Sequence, residues 1–198
     1  MAGDMIDLVQ ALSRSKSMTK KNVLITGLPG TGKTTLVKKL AGEFQDLNPA
    51  GFYTAEMRER GARGGFELVG LDGTRRVLSH VNIKGPDRVG KYGVDVTGFD
   101  EYLGALALSD PNVKLIIIDE IGEMECLSRQ FIDLMQDVLD SGKPLIATIA
   151  QKAGGFIAEV KKRWDVKLFE VTQANRDSLL ESISEYIQEI VRPTEKSL

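Results

Sequence analysis

The 198-residue chain is 42% hydrophobic and 27% charged, a balance that suits one compact domain with a sizeable core. Its 26 basic and 28 acidic residues leave a formal net charge of -2, so no broad field marks it as a nucleic-acid or membrane-surface binder. One cysteine, Cys126, and one histidine, His80, exclude an internal disulfide, a cysteine-rich zinc or iron–sulfur site and a two-histidine metal centre.

Residues 1–21 open with a short amphipathic stretch (Ile6, Leu8, Val9, Leu12) and end in a Ser/Lys-rich tract, which reads as an N-terminal extension made of a weak helix and a linker. The stretch lacks the apolar core of a secretory signal. No apolar run reaches the ~18 residues of a membrane span either, and the expectation is a soluble, cytoplasmic protein. From Asn22 the pattern sharpens. "NVLITG" is β-rich, a glycine-rich turn follows, and "TTLVKKLAGEF" has helical spacing. "GFYTAEMR", "GFELVGLDG" and "RRVLSHV" are short β-prone segments between glycine-rich turns, consistent with an antiparallel hairpin insertion, and His80 at the end of the third reads as structural. "TGFDEYLGALALS" predicts a helix with Thr97 available as its cap.

The second half alternates more regularly. "KLIIIDE" reads as a buried strand, "CLSRQFIDLMQDVLDSG" as a helix closed by Gly142, and "KPLIATIA" as another buried strand. "GGFIAEVKKRW" looks helical, "VKLFEVT" strand-like, and "RDSLLESISEYIQEIV" helical. Nearly apolar strands alternating with helices predict an α/β fold of three layers around a mostly parallel central sheet, in a single domain over 22–191 with a tail at 192–198. The cations and Trp164 of "KKRWD" read as a solvated face and rim packing, with no nucleic acid implied.

Chemistry concentrates at two places. "GLPGTGKTT" contains Gly27-x-x-x-x-Gly32-Lys33-Thr34 between a predicted strand and a predicted helix, the context a P-loop requires. Gly27, Leu28, Pro29, Gly30, Thr31 and Gly32 would wrap backbone N–H groups around phosphate oxygens, helped by the positive end of the following helix. Lys33 would reach the β and γ phosphates, Thr34 would ligate Mg²⁺, and Thr35 would contact the α-phosphate. By chance the pattern arises in about one percent of chains of this length.

The second place is the end of "KLIIIDEIGEME". Four apolar residues deliver Asp119 to the carboxyl edge of the sheet, where it would hold Mg²⁺ beside Thr34. Glu120 would take a proton from an attacking water. An acidic turn with only solubility value is the competing reading, and Glu123 and Glu125 carry no assigned role.

"GLPGTGKTT" (27–35), "GFYTAEMRERGARGGFELVGLDG" (51–73), "RVGKYGVDV" (88–96), "IIIDEIGEMEC" (116–126) and "TQANRD" (172–177) together resemble the thermophilic and cancer-related nucleoside-triphosphatase family. The resemblance runs over about 22–191. It implies a RecA-like P-loop fold and slow, Mg²⁺-dependent hydrolysis of nucleoside triphosphates, ATP and GTP among them, with broad base tolerance. Relatives often carry a basic residue after "DEIG"; this chain has Glu123 there. Charge in the transition state must then be met by Arg58, Arg60, Arg63, Arg88 or Lys91, with Arg88 and Lys91 the leading choices through the family match. In "NRD", Asn175 would bond the base edge and Arg176 would lie against the base plane, or Asn175 would simply cap the last helix. Thr148 is either a γ-phosphate sensor or a satisfied strand-end hydroxyl. Two alternatives to hydrolysis stay open: a small-molecule or nucleotide kinase, and a regulatory nucleotide-binding protein.

Overall fold

The computed structural model describes residues 20–59 and 61–192, so most of the N-terminal extension, Arg60 and most of the C-terminal tail lie outside the described residues. The elements are β1 (Asn22–Thr26), α1 (Lys33–Glu43), β2 (Ala50–Glu59), β3 (Ala62–Gly70), β4 (Arg75–His80), β5 (Arg88–Val89) and β6 (Tyr92–Val94). They continue with α2 (Val96–Ala105), β7 (Ile116–Ile121), α3 (Arg129–Asp140), β8 (Leu145–Ile149), α4 (Gly155–Lys162), β9 (Val166–Glu170) and α5 (Arg176–Val191).

All nine strands of the described residues join one sheet in the order β5-β6-β4-β3-β2-β7-β8-β1-β9. The run β2-β7-β8-β1-β9 is parallel throughout, and β3 to β6 continue it antiparallel. The predicted hairpin is therefore an extension of the central sheet rather than a body beside it. Its first strand does two jobs: β2 lies parallel to β7 from Ala50 to Tyr53 and antiparallel to β3 from Phe52 to Glu59. Gly51 makes the β2–β7 approach possible, since at φ 131° a Cβ there would stand 1.8 Å from the Ile117 carbonyl oxygen.

Alternation along the strands builds two cores, one on each face, because successive side chains point to opposite sides. Val23, Ile25, Leu115, Ile117 and Ile146 face α1 and α5, meeting Leu36, Leu40, Ile183 and Ile187. Leu24, Ile116, Ile118 and Ala147 face the other way, onto Phe99 and Leu103 of α2, Phe131 and Met135 of α3, and Ile157 and Val160 of α4. Edge-to-face rings at Phe52–Phe99 (6.1 Å) and Phe52–Tyr102 (5.8 Å) fasten α2 to β2.

Three boundaries differ from expectation. Asp95, not Thr97, caps α2, its carboxylate accepting from Gly98 N at 2.9 Å. An acid one residue before the helix reaches the unpaired N–H groups of the first turn, which a residue already inside it does not. Likewise α3 begins at Arg129 rather than Cys126, since Ser128 accepts from Phe131 N at 2.9 Å and Glu125–Leu127 form a separate 3-10 turn. It ends at Asp140 and is capped by Ser141 rather than closed by Gly142: Ser141 N donates to Asp137 O at 2.9 Å without any left-handed residue.

Candidate active site

Four parallel strands reach the same edge of the parallel run, and residues they carry there make the site. β1 leads into Gly27; β7 carries Asp119; β2 and β8, its neighbours on either side, carry Thr54 and Thr148. Pairing of Tyr53 with Asp119 and of Ile118 with Ala147 sets that register, so a threonine flanks the acid from each side. Thr148 Oγ1 donates to Asp119 Oδ1 at 2.5 Å and Thr54 Oγ1 to Oδ2 at 3.5 Å. Thr148 is thus a satisfied strand-end hydroxyl whose bond fixes the acid. Thr54 is a site residue that the sequence pattern misses, although it lies in the "GFYT" segment.

The P-loop folds as its glycines require. Gly30 and Gly32 have φ of 80° and 100°, values strained for any side chain, and Gly27 has no room for one: a Cβ would lie 2.4 Å from the Val171 carbonyl oxygen. Gly32 stands at the start of α1 and accepts from Leu36 N, leaving the first N–H groups of the helix turned to the loop. Thr31 is buried and staples the loop through its hydroxyl to Leu28 O at 2.8 Å, which makes its side chain structural. Lys33 curls back over the loop, Nζ donating to Gly27 O at 3.0 Å and Leu28 O at 3.4 Å.

A cavity of about 880 Å³ opens over this edge, lined by Gly27–Gly30, Gly32–Thr35, Thr54, Glu120, Arg63 and Ala150–Lys152 among others. Asp119 is 1% exposed and is not itself among the lining residues, although Thr34, Thr54 and Glu120 beside it are. Burial pushes the Asp119 carboxyl up, opposed by hydrogen bonds from Thr148, Thr34 and Thr54 and by the charge of Lys33. Burial also raises Glu120, with Lys33 and Lys161 opposing it and Asp119 adding to it. Thr34 is thus close enough to Asp119 to oppose the rise of its carboxyl, and Glu120 lines the cavity.

A hydroxyl and one carboxylate are hard oxygen donors that suit Mg²⁺, which takes few protein ligands and completes its shell with phosphate and water. Among the described residues no group of three or more His, Cys, Asp or Glu side chains is placed to cage an ion. The donor set fits an ion that arrives with its nucleotide.

Other expected residues are placed differently. Arg88 and Lys91 do not line the cavity: Arg88 donates to Ile83 O (3.3 Å) and Lys91 O (2.7 Å), and Lys91 Nζ to Arg63 O at 3.4 Å. The Arg88 bonds close the short β5–β6 hairpin on itself and on the loop at Ile83, and the Lys91 bond reaches β3. Arg63 lines the cavity instead, paired with Glu56 and lying over Phe66. Asn175 Oδ1 accepts from Thr172 N at 2.8 Å and its Nδ2 donates to Glu170 O at 2.9 Å, so its side chain holds the turn before α5 and does not cap that helix. Arg176 borders a second cleft of about 290 Å³ with Gly32, Thr35, Lys39, Asp177 and Leu180, beside the start of α1. His80 is a structural histidine, Nδ1 accepting from Asn82 N at 3.2 Å and Nε2 3.2 Å from Glu59.

Two further residues matter. Lys161, read as part of a solvated face, is half-buried and donates to Ala150 O (2.5 Å) and Gln151 O (2.8 Å), the backbone that forms one wall of the cavity. Arg163, from the same run, is bonded to Asp140 and Asp165. Glu125 is buried under Gly122 and pushed up to about 8, first by burial and then by Glu120 and Asp119. Cys126 beside it is pushed up to about 12, which leaves no reactive thiolate.

A P-loop at the end of β1, with an acid on β7, one strand away across β8 and close to the P-loop threonine, defines a P-loop nucleotide-binding protein. The described residues contain no helix long and apolar enough to cross a membrane. Residues 22–184 match the family described as NTPase, and the chain belongs to that family. Nucleoside-triphosphatase THEP1 of Thermotoga sp. (strain RQ2) is 46% identical over 162 residues, covering 81% of this chain and 92% of the relative. The human cancer-related nucleoside-triphosphatase is 38% identical over 184 residues, covering 85% and 97%. A solution structure of a human cancer-related nucleoside triphosphatase superposes with a TM-score of 0.72 at 38% identity, over 87% of this chain and 99% of the other. The crystal structure of THEP1 from Aquifex aeolicus gives 0.70 at 35% identity, over 82% and 96%.

Proposed function

We propose that this chain hydrolyses nucleoside triphosphates to diphosphate and phosphate in a Mg²⁺-dependent reaction, slow and tolerant of the base, in the cytoplasm. One observation carries the reading: Asp119, locked between Thr148 and Thr54, lies beside Thr34 while the adjacent Glu120 opens into the P-loop cavity. The names of the relatives agree with it.

The P-loop N–H groups and Lys33 bind the phosphate tail, and Lys33 exchanges its carbonyl partners for phosphate oxygens. Thr34 and Asp119 would hold Mg²⁺, which would supply neutralisation of the phosphate charge. Glu120 orients a water and accepts its proton as the water oxygen bonds to the γ-phosphorus and the bond to the β–γ bridging oxygen breaks. Slow turnover follows from the engagement of Arg88 and Lys91 elsewhere, which leaves an exposed Arg63, already paired with Glu56, as the cation on the outer wall. Base tolerance, covering ATP and GTP alike, fits the Arg176 cleft, whose lining among the described residues offers a guanidinium and an aliphatic Leu180 but no side-chain amide to read a base edge.

The decisive measurement is phosphate release with Mg²⁺ and each nucleoside triphosphate, alone and then with Glu120→Gln. The variant is expected to bind nucleotide normally and to lose about 10²- to 10⁴-fold in turnover. Undiminished turnover would refute Glu120 as the base.

A further inference from the structure

Next to the nucleotide cavity lies a second hollow of about 350 Å³. Pro29, Thr54, Phe66, Glu120 and Ala150 belong to the walls of both, so the two spaces meet at Glu120. Beyond that junction the second hollow is walled by Leu78, Val89 and Met124, with Glu123 and Glu125 on the β7 side. A hydrolytic nucleophile is one water, which takes ~30 Å³. The hollow is about ten times that size and falls at the lower end of cavities that hold small organic ligands.

We infer that this hollow seats a second substrate, a small alcohol with an apolar body and a protonated amine, and that the site transfers the γ-phosphoryl group to its hydroxyl. Leu78, Val89, Met124 and Phe66 would bury the apolar body. The charged groups on its wall are carboxylates, with no lysine or arginine among the described lining residues. That pattern attracts an amine and repels acceptors that already carry phosphate, so nucleoside monophosphates are excluded as acceptors. Glu123 thereby acquires a purpose, as the exposed carboxylate at the rim that meets the amine.

The step needs no group beyond those already placed. The acceptor oxygen bonds to the γ-phosphorus, the bond to the β–γ bridging oxygen breaks, the diphosphate leaves, and the hydroxyl proton passes to Glu120. Products are a phosphate monoester and a nucleoside diphosphate, and hydrolysis is the same displacement with water in place of the alcohol. The inference rests on the nucleotide site and on Glu120 as proposed above.

Two measurements on the full chain test it. In the first, protein carrying ¹³C-methyl methionine is titrated with phenylethanolamine, benzyl alcohol and phenyl phosphate, with Met124→Leu identifying the Met124 resonance. A saturable shift of that resonance is expected with phenylethanolamine, a weaker response with benzyl alcohol, and none with phenyl phosphate. In the second, ATP and Mg²⁺ are supplied with phenylethanolamine, and diphosphate is compared with free phosphate. Diphosphate in excess, with the shortfall recovered as phosphorylated phenylethanolamine by mass spectrometry, supports transfer, and Met124→Trp should lower the ratio of transfer to hydrolysis at least about tenfold. Equal diphosphate and phosphate, a Met124 resonance indifferent to the amine, or equal binding of phenyl phosphate overturns the inference while hydrolysis stands. Absence of any ATP turnover would instead sink the hydrolytic reading, with the Met124 titration still reporting on the hollow.

Discussion

Glu125→Gln isolates the effect of one buried acid on stability. Glu125 lies under Gly122, where a Cβ would stand 2.8 Å from its Oε2, and its carboxyl titrates near 8 instead of 4.5. In the unfolded chain it ionises near 4.5, so below that pH both states hold the proton and no difference arises. Between 4.5 and about 8 the unfolded state releases a proton that the native state keeps, and stability falls as pH rises; above 8 both are ionised and the loss levels off. At 1.36 kcal/mol per pH unit the ceiling is about 5 kcal/mol, and relaxation around a buried charge lowers it to roughly 2–4 kcal/mol. A glutamine in its place would keep the shape and accept from the same backbone N–H groups, with no proton to lose. Urea unfolding from pH 5 to 9 should therefore show the variant gaining on the wild type as pH rises, by about 1–2 M in midpoint at pH 9. Parallel pH profiles for the two proteins would refute the buried, protonated assignment.

Three other substitutions probe other links. Gly51→Ala would drive a methyl group into the Ile117 carbonyl at a positive φ, and calorimetry should show a loss of about 3 kcal/mol or more, or failure to fold; a melt within a degree or two of wild type would contradict the close β2–β7 approach. Arg63→Ala should lower kcat about tenfold or more, whereas Arg88→Ala should leave kcat near wild type and lower the melting temperature instead, as expected for a cation on the cavity wall and one tying a hairpin; the opposite ranking in steady-state kinetics would restore Arg88 as the finger. Lys161→Met should free the Ala150–Gln151 backbone and reduce kcat about 10- to 100-fold with little change in nucleotide affinity. Equal turnover would show that wall to be positioned without it.

What could be read in advance was local or periodic. The P-loop glycines and the apolar run ahead of Asp119 act through backbone freedom and burial, both visible residue by residue. The longer strands and the helices between Asn22 and Val191 follow the same kind of signal, whereas the two- and three-residue strands β5 and β6 carry too short a pattern to be read. Pairing across the sheet was not legible: nothing local says that "GFYT" lies parallel to "IIID" before turning back, so Thr54 beside Asp119 emerged only with the register. Charged residues were hardest. Arg88 and Lys161 are both cations in polar segments, yet one is bonded away from the site and the other braces it, a difference set by which carbonyls lie within reach. The three helix boundaries turned on competition between adjacent capping residues, Asp95 against Thr97 and Ser128 against the turn before it.

The strand order also bears on biosynthesis. β1, synthesised first, has β8 and β9 as its two partners, which begin at Leu145 and Val166. At ribosomal speeds the P-loop strand waits roughly ten seconds with both edges unpaired, while β2 and the meander of β3 and β4 already have one another. The nascent chain thus carries an apolar "NVLIT" segment that only the C-terminal third can cover, and nucleotide can stabilise the fold only once that third has emerged. Truncation anywhere before β9 would leave this oldest strand as an open edge, the surface on which one chain most readily pairs with another.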